Sequence, residues 1–217
     1  MSGEQLSSQS GVSGASVLAV KYQDGIMMCY DTLASNGSSP RLTGVDRVIK
    51  VGSNTLVAAS GEISDFQYLT DSLRDLENED WLCDDGTEVG SIHQVVSAIK
   101  NGVNWIPCAI ILYLEASTRR ELRSLTTSPR STPHGTLFEE DVVATGSGEE
   151  LALPIMRSRH RNDMTEAEAR GMLEECMRVL FHRHGNCSNK VKFAAIAAEG
   201  SNISDEVVIS DNLGLPR

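Results

Sequence analysis

The sequence predicts an α+β fold, arranged as a four-layer αββα sandwich, and three observations carry that prediction. Apolar segments run in the order strands, two helices, strands, two helices, strands, which is not the regular alternation of a parallel sheet. Residues 14–31, GASVLAVKYQDGIMMCYD, read as two apolar strands joined at Asp24-Gly25, a strong two-residue hairpin signal. Thr165-Glu166-Ala167-Glu168 is a capping box opening an amphipathic helix. Two antiparallel sheets packed face to face, with a helix pair outside each, would bury all of these apolar stripes.

The elements follow in chain order. After the opening hairpin, residues 35–44 are rich in Ser, Gly, Asn and Pro and read as a loop. Two short apolar runs, residues 45–51 and 55–60, flank Gly52-Ser53-Asn54 and predict a second hairpin. Over residues 62–76, Phe66, Leu69, Leu73 and Leu76 recur at helical spacing, with Ser60 or Ser64 as cap. Residues 77–88 are acidic and read as irregular. A second helix is expected over residues 91–101, where Ile92, Val95, Val96 and Ile99 share a face before Gly102. Residues 106–115 read as an apolar strand with Pro107 at its start, and residues 121–127 as a weaker one able to pair with it. A loop at 128–135 leads to a strand at 138–145. Residues 149–156 have helical spacing but contain Pro154, so this third helix is short or kinked. The fourth helix buries Met172, Leu173, Cys176, Met177 and Leu180 along one stripe. Strands at 193–198 and 206–210, joined by a turn at 199–202, close the chain.

With 217 residues, 40% of them hydrophobic, and no biased linker, residues 15–217 are expected to form a single domain. Residues 1–14 are Ser- and Gly-rich, lack the basic start and apolar centre of a secretory signal, and are expected to be a disordered N-terminal extension or propeptide. A net charge of -11 argues against nucleic acid and anionic membranes as partners, and no apolar run approaches the ~20 residues that a bilayer requires. Five cysteines without CxxC spacing point to a reducing, intracellular compartment. His182, His184 and Cys187 do not complete a four-ligand set, so neither a metal nor another cofactor is expected. Gly146-Ser147-Gly148 lacks the phosphate-loop pattern and reads as a turn entering a helix, and the arginines of residues 157–161 read as an exposed charged connection.

The hairpin at 14–31, SGEISDFQYL at 60–69, GSG at 146–148 and LEECMRVLFHR at 173–183 together resemble the beta-type subunits of the 20S proteasome core, members of the N-terminal-nucleophile hydrolase fold. The resemblance spans nearly the whole chain. SGEISDFQYL and CMRVLF are most similar to the non-catalytic member at the seventh beta position, beta type-4 in mammalian naming. An active member uses an N-terminal threonine, freed by cutting the bond after a glycine, as nucleophile, with its own amine as base. Counted back from Asp24-Gly25, the resemblance puts that position at Ala15, whose methyl group is no nucleophile. It retains the acidic residue as Asp31, the oxyanion glycine as Gly61 and the serine of GSG as Ser147. It puts Arg47 where the family has lysine, and His184 and Cys187 where the family has aspartate and serine. Arginine stays charged and does not trade protons, so Asp31 and Arg47 are expected to be a structural ion pair tying the two hairpins.

The resemblance therefore implies a non-catalytic subunit that fills one place in a heptameric ring and assembles with other beta and alpha subunits in ubiquitin-dependent protein degradation. It also implies a cytoplasmic and nuclear location, and places the helices at 149–156 and 165–181 against the opposite ring. Residues 211–217 alone follow the last expected strand, where seventh-position members commonly carry a longer clamping tail. The alternative is an N-terminal-nucleophile peptidase using Ser16 after removal of Ala15. Against it, a shift of one residue along a strand turns the side chain to the opposite face.

Overall fold

The computed structural model describes residues 12–51, 55–83, 112–113, 123–126, 136–197 and 200–210. In chain order the first strands are β1 (Ser13–Gly14), β2 (Val17–Tyr22), β3 (Gly25–Asp31), β4 (Ala34–Asn36) and β5 (Ser39–Leu42). Next come β6 (Val48–Val51), β7 (Thr55–Ala58), β8 (Gly61–Glu62) and helix α1 (Ile63–Cys83). The middle contributes β9 (Leu112–Tyr113), β10 (Arg123–Thr126), β11 (Thr136–Glu139) and β12 (Val142–Ala144). Helices α2 (Ser147–Leu151), α3 (Leu153–Arg159) and α4 (Glu166–Arg183) precede β13 (Lys190–Ala197), β14 (Gly200–Ile203) and β15 (Val207–Val208).

The central sheet runs β12-β2-β3-β13-β14, with β15 also on β13, and all its pairings are antiparallel. Strand alternation sends its side chains into two cores. Leu18, Val20, Met27, Cys29 and Phe193 meet Ala152, Met156, Leu173, Cys176 and Met177 of the α2–α4 segment. Val17, Ala19, Ile26, Met28 and Tyr30 pack on the opposite side with Val48, Leu56 and Ala58 of the β6–β7 hairpin. Phe66 of α1 packs with Ala59 and Ile49. Helices, sheet, second sheet and helix therefore succeed one another, the α+β layering expected from the sequence.

The capping box is present in full: Thr165 Oγ1 accepts from the Glu168 amide, and Glu168 Oε2 accepts from the Thr165 amide. The stripe of Met172, Leu173, Cys176, Met177 and Leu180 is buried, each aliphatic side chain contributing about 1.5–3 kcal/mol on removal from water. Pairing of β10 with β9 joins the two strands expected to meet there.

Elsewhere the boundaries move, for identifiable reasons. Tyr22 pairs with Gly25, so the hairpin loop is Gln23-Asp24 rather than Asp24-Gly25. Gly25 is required as a strand residue, because a Cβ there would stand 1.9 Å from the Ile196 carbonyl oxygen. The stretch read as a loop at 35–44 holds the β4–β5 pair, and α1 continues through residues 77–83, since extending a nucleated helix costs little. The strand expected over 138–145 breaks into β11 and β12, which belong to different sheets. The third helix is two short ones broken at Ala152, with Pro154 in the first turn of α3, where proline is tolerated. The turn expected at 199–202 lies largely within β14. Ser13-Gly14, placed by the sequence in a disordered or removable extension, forms β1 between β4 and β8. The helix expected at 91–101, the turn at 52–54, the loop at 128–135, residues 1–11 and most of the strand at 106–115 lie outside the described residues.

Candidate functional site

The residues singled out from the sequence gather where β1 hands over to β2. Asp31, at the end of β3, and Arg47, just before β6, are both fully buried. Arg47 Nη2 donates to the Asp31 carboxylate, to the Asp31 carbonyl at 2.6 Å and to the Ser16 carbonyl at 3.2 Å; Nε donates to the same Asp31 carbonyl at 3.2 Å. The second carboxylate oxygen of Asp31 accepts from the Ser188 amide at 3.1 Å. Burial pushes the Asp31 carboxyl above its ordinary value, with Arg47 and the Ser188 amide pulling the other way. The pair ties β2, β3, the start of β6 and the loop after α4 at one point, as the ion-pair reading expected.

Ala15 is half-buried, and its carbonyl lies against Gly146. Gly146 has φ +56°, and a Cβ there would come within 2.6 Å of that oxygen, so both backbone conformation and space require glycine. Ser16 is completely buried. Its hydroxyl accepts from the Gly148 amide at 3.0 Å and stands 3.0 Å from the Ser147 hydroxyl. Thr145, also fully buried, accepts through Oγ1 from the Val17 amide at 2.8 Å, and its own amide donates to the Val17 carbonyl at 3.0 Å. The GSG turn thus clamps the start of β2, and the Ser16 hydroxyl is part of the clamp.

Gly61 pairs with Gly14 across β8 and β1. The Ile63 amide donates to the Val12 carbonyl at 2.9 Å, so antiparallel alternation makes Gly14 and Gly61 the next mutually bonded pair. This directs the Gly61 amide to the carbonyl of the Gly14–Ala15 bond. His184 caps α4 through its amide to the Leu180 carbonyl, and its Nδ1 lies 3.6 Å from Cys187 Sγ. Burial, with Asp31 adding to it, pushes the Cys187 thiol up to about 12, so it is not a nucleophile near neutrality. Ser188 and Thr145 are the contributors missed from sequence. Ser188 acts through its backbone amide, which leaves no residue-type signal, whereas Thr145 ends an apolar strand immediately before GSG and was readable as a buried hydroxyl in need of a partner.

Among the described residues, no group of three or more His, Cys, Asp or Glu is placed to hold a metal. No helix among them is long and apolar enough to cross a membrane. Arg157, Arg159 and Arg161 face acidic partners, Glu140, Glu175 and Glu168 respectively, in exposed ion pairs.

A family model described as "Proteasome subunit" matches residues 12–95 and 130–196. The chain belongs to the proteasome subunit family. It is 33% identical over 217 residues to "Proteasome subunit beta type-4" of Dictyostelium discoideum, covering 95% of this chain and 81% of that protein. It is 35% identical over 199 residues to "Proteasome subunit beta type-4" of Arabidopsis thaliana, covering 89% and 78%. "Probable proteasome subunit beta type-7" of Encephalitozoon cuniculi is 34% identical over 209 residues, covering 93% and 92%. The Gly14–Ala15 junction, Asp31, Arg47, Gly61, Ser147, His184 and Cys187 all lie within the matched segments of the proteasome subunit family.

Proposed function

We propose that this chain is a non-catalytic structural beta subunit of the 20S proteasome core, filling one place in a heptameric beta ring and walling part of the proteolytic chamber. Its partners are the other beta and alpha subunits of the stacked rings. One observation carries the reading: Arg47 Nε and Nη2, the Asp31 carboxylate and the Ser16 hydroxyl around the Ala15 position are spent on holding strands together. Ala15, with no reactive group, takes the place of the threonine used by active beta subunits. Arg47, a permanent cation, takes the place of the lysine and is spent on backbone carbonyls and Asp31. The ring-facing role of α2, α3 and α4, which cover the segments expected at 149–156 and 165–181, and a cytoplasmic and nuclear location belong to the same proposal.

The peptidase alternative, with Ser16 as nucleophile, is disfavoured by the complete burial of Ser16 and by the amide and hydroxyl that engage its oxygen. Native mass spectrometry of the tagged chain is expected to find it in a high-mass assembly with other proteasome subunits; a free monomer with no such assembly refutes the proposal. Treating that assembly with a hydroxyl-directed electrophile is expected to leave this chain's mass unchanged. Specific labelling at Ser16 would instead establish the peptidase.

A further inference from the structure

The hairpin of β4 and β5 turns through the two-residue loop Gly37-Ser38, with Asn36 paired to Ser39 across it. Its outer half is weakly held. All four residues of β5 are exposed, and among the described residues the strand lies at the edge of its sheet with β4 beside it. Pro40 brings no amide to that ladder, and the register shifts between Ala34 and Ser35. Gly37 (φ +58°) and Gly44 (φ +75°), which flank β5, stand in open space, where an added Cβ would meet nothing within 4 Å. On the far side of β4, β1 reaches Ala34 and Ser35 and stops short of Asn36. An exposed ladder with few buried apolar contacts opens locally while the rest of a fold stays closed. A contact from elsewhere restrains this one: Asn186, in the loop after α4, donates from Nδ2 to the Gly37 carbonyl at 2.8 Å. Asn36-Gly37 is also the pair in which a side-chain amide and the next backbone nitrogen combine most readily, because glycine has no side chain to obstruct the approach. In the closed hairpin Asn36 is extended, which turns the Gly37 nitrogen away from the Asn36 side chain, so the two meet when the hairpin opens.

We propose that Asn36 is a site of spontaneous deamidation and isoaspartate formation, gated by opening of the β4–β5 hairpin and latched by Asn186. In the opened loop the Gly37 amide loses its proton and its nitrogen bonds to Asn36 Cγ. The Cγ–Nδ2 bond breaks and ammonia leaves with a proton, giving a five-membered cyclic imide. Water then opens the ring: cleavage at Cγ yields aspartate, and cleavage at the α-carbonyl carbon yields isoaspartate, whose main chain runs through Cβ and Cγ. Nothing is oxidised or reduced, and water is the co-reactant. The isoaspartyl link puts an extra methylene into the main chain and leaves a free α-carboxylate, so position 36 no longer meets Ser39 in register and β5 does not reclose. The opened strand then presents the extended isoaspartyl acid that a carboxyl methyltransferase specific for isoaspartate takes as substrate.

The chain, purified with its partners, is aged at physiological temperature and slightly alkaline pH and sampled by peptide mapping. The peptide holding Asn36 is expected to turn progressively from amide to acid and to accept labelled methyl groups from an isoaspartyl methyltransferase, while the amides of β5 gain hydrogen exchange. Asn36→Gln is expected to abolish all three changes in that peptide, because a ring through the longer side chain closes far more slowly. Asn186→Ala is expected to speed the conversion at least about threefold, since opening precedes ring closure. Urea at concentrations below the unfolding transition is expected to speed it in the unmodified chain, which keeps the gate testable should Asn186→Ala fail to assemble. An Asn36 that stays an amide throughout overturns the proposal. So does conversion at a rate that neither Asn186→Ala nor urea changes, or methylation of that peptide persisting in Asn36→Gln.

Discussion

Replacing Arg47 with alanine is the sharpest perturbation available at this site. The wild-type pair is shielded almost completely, with side-chain exposures of 1% for Arg47 and 0% for Asp31. Removing the guanidinium leaves the Asp31 carboxylate buried with backbone amides, those of Ser188 and of Asp31 itself, as its donors, and takes the Arg47 donors from the Asp31 and Ser16 carbonyls. Breaking one side of a buried pair costs about 3–5 kcal/mol, since the remaining charge is uncompensated. For a chain of this length each kcal/mol corresponds to about 2–4 °C, so the melting temperature should fall by about 6–20 °C. Thermal unfolding of the chain, followed alongside its incorporation into particles, gives the measurement. A double substitution separates charge from packing: Asp31→Asn added to Arg47→Met should recover at least about 1 kcal/mol relative to Arg47→Met alone, as expected for contacting residues. A fall below about 2 °C for Arg47→Ala with unchanged incorporation, or no recovery in the double variant, would show that the pair does not hold the hairpins together.

Three further outcomes are expected. Gly25→Ala should destabilise by at least about 1–3 kcal/mol, because its methyl would be driven onto the Ile196 carbonyl oxygen; wild-type stability in urea unfolding would refute the close approach. Cys176 and Cys187 are buried, with thiols pushed up to about 12 by desolvation first and by nearby carboxylates, Glu175 and Asp31 respectively, second, so alkylation near pH 8 should run about a thousandfold slower than for a free thiol until the chain unfolds; rapid labelling read by peptide mapping would contradict this. The Glu206 carboxyl is held below its ordinary value by hydrogen bonds from Thr32 and Lys190. Its stabilisation is thus present above the unfolded glutamate value and lost as pH falls through the lower folded one, so Glu206→Gln should weaken the protein at pH 7 and not at about pH 2; an equal loss at both would refute the assignment.

The layering was legible because its signals are periodic. Alternation in β2 and β3, helical spacing in α1 and α4, and the Thr165 capping box each specify a face or an end without reference to the rest of the molecule. The elements that were misplaced depend on a distant partner. Gly25 looked like a turn glycine, yet it is glycine because β13 passes against it, a contact with a residue 171 positions away in sequence. Residues 35–44 have loop composition, and become β4 and β5 only because β4 finds β1 beside it. β1 itself is two residues long and sits in a Ser- and Gly-rich stretch, so no periodicity could announce it. At the site, Asp31 and Arg47 were legible, through the family resemblance, as an ion pair tying the two hairpins, while Ser188 contributes an amide that every residue but proline carries.

The same chemistry explains why this arrangement is robust as structure. A nucleophile's neighbourhood needs a group that gives and takes a proton and an amide left free for a developing oxyanion. Arg47 supplies neither function. Its fork of donors is matched instead to fixed acceptors, the Asp31 carboxylate and two backbone carbonyls, and this match is what brings β2, β3 and the approach to β6 together. The Gly61 amide is aimed at the Gly14 carbonyl by the β1–β8 register, and the Ser16 hydroxyl is held in the GSG clamp. A threonine placed at position 15 would therefore meet a permanent cation where a group able to exchange a proton is needed. The donors of Arg47 that hold the hairpins together are therefore unavailable for proton transfer, whatever side chain stands at position 15.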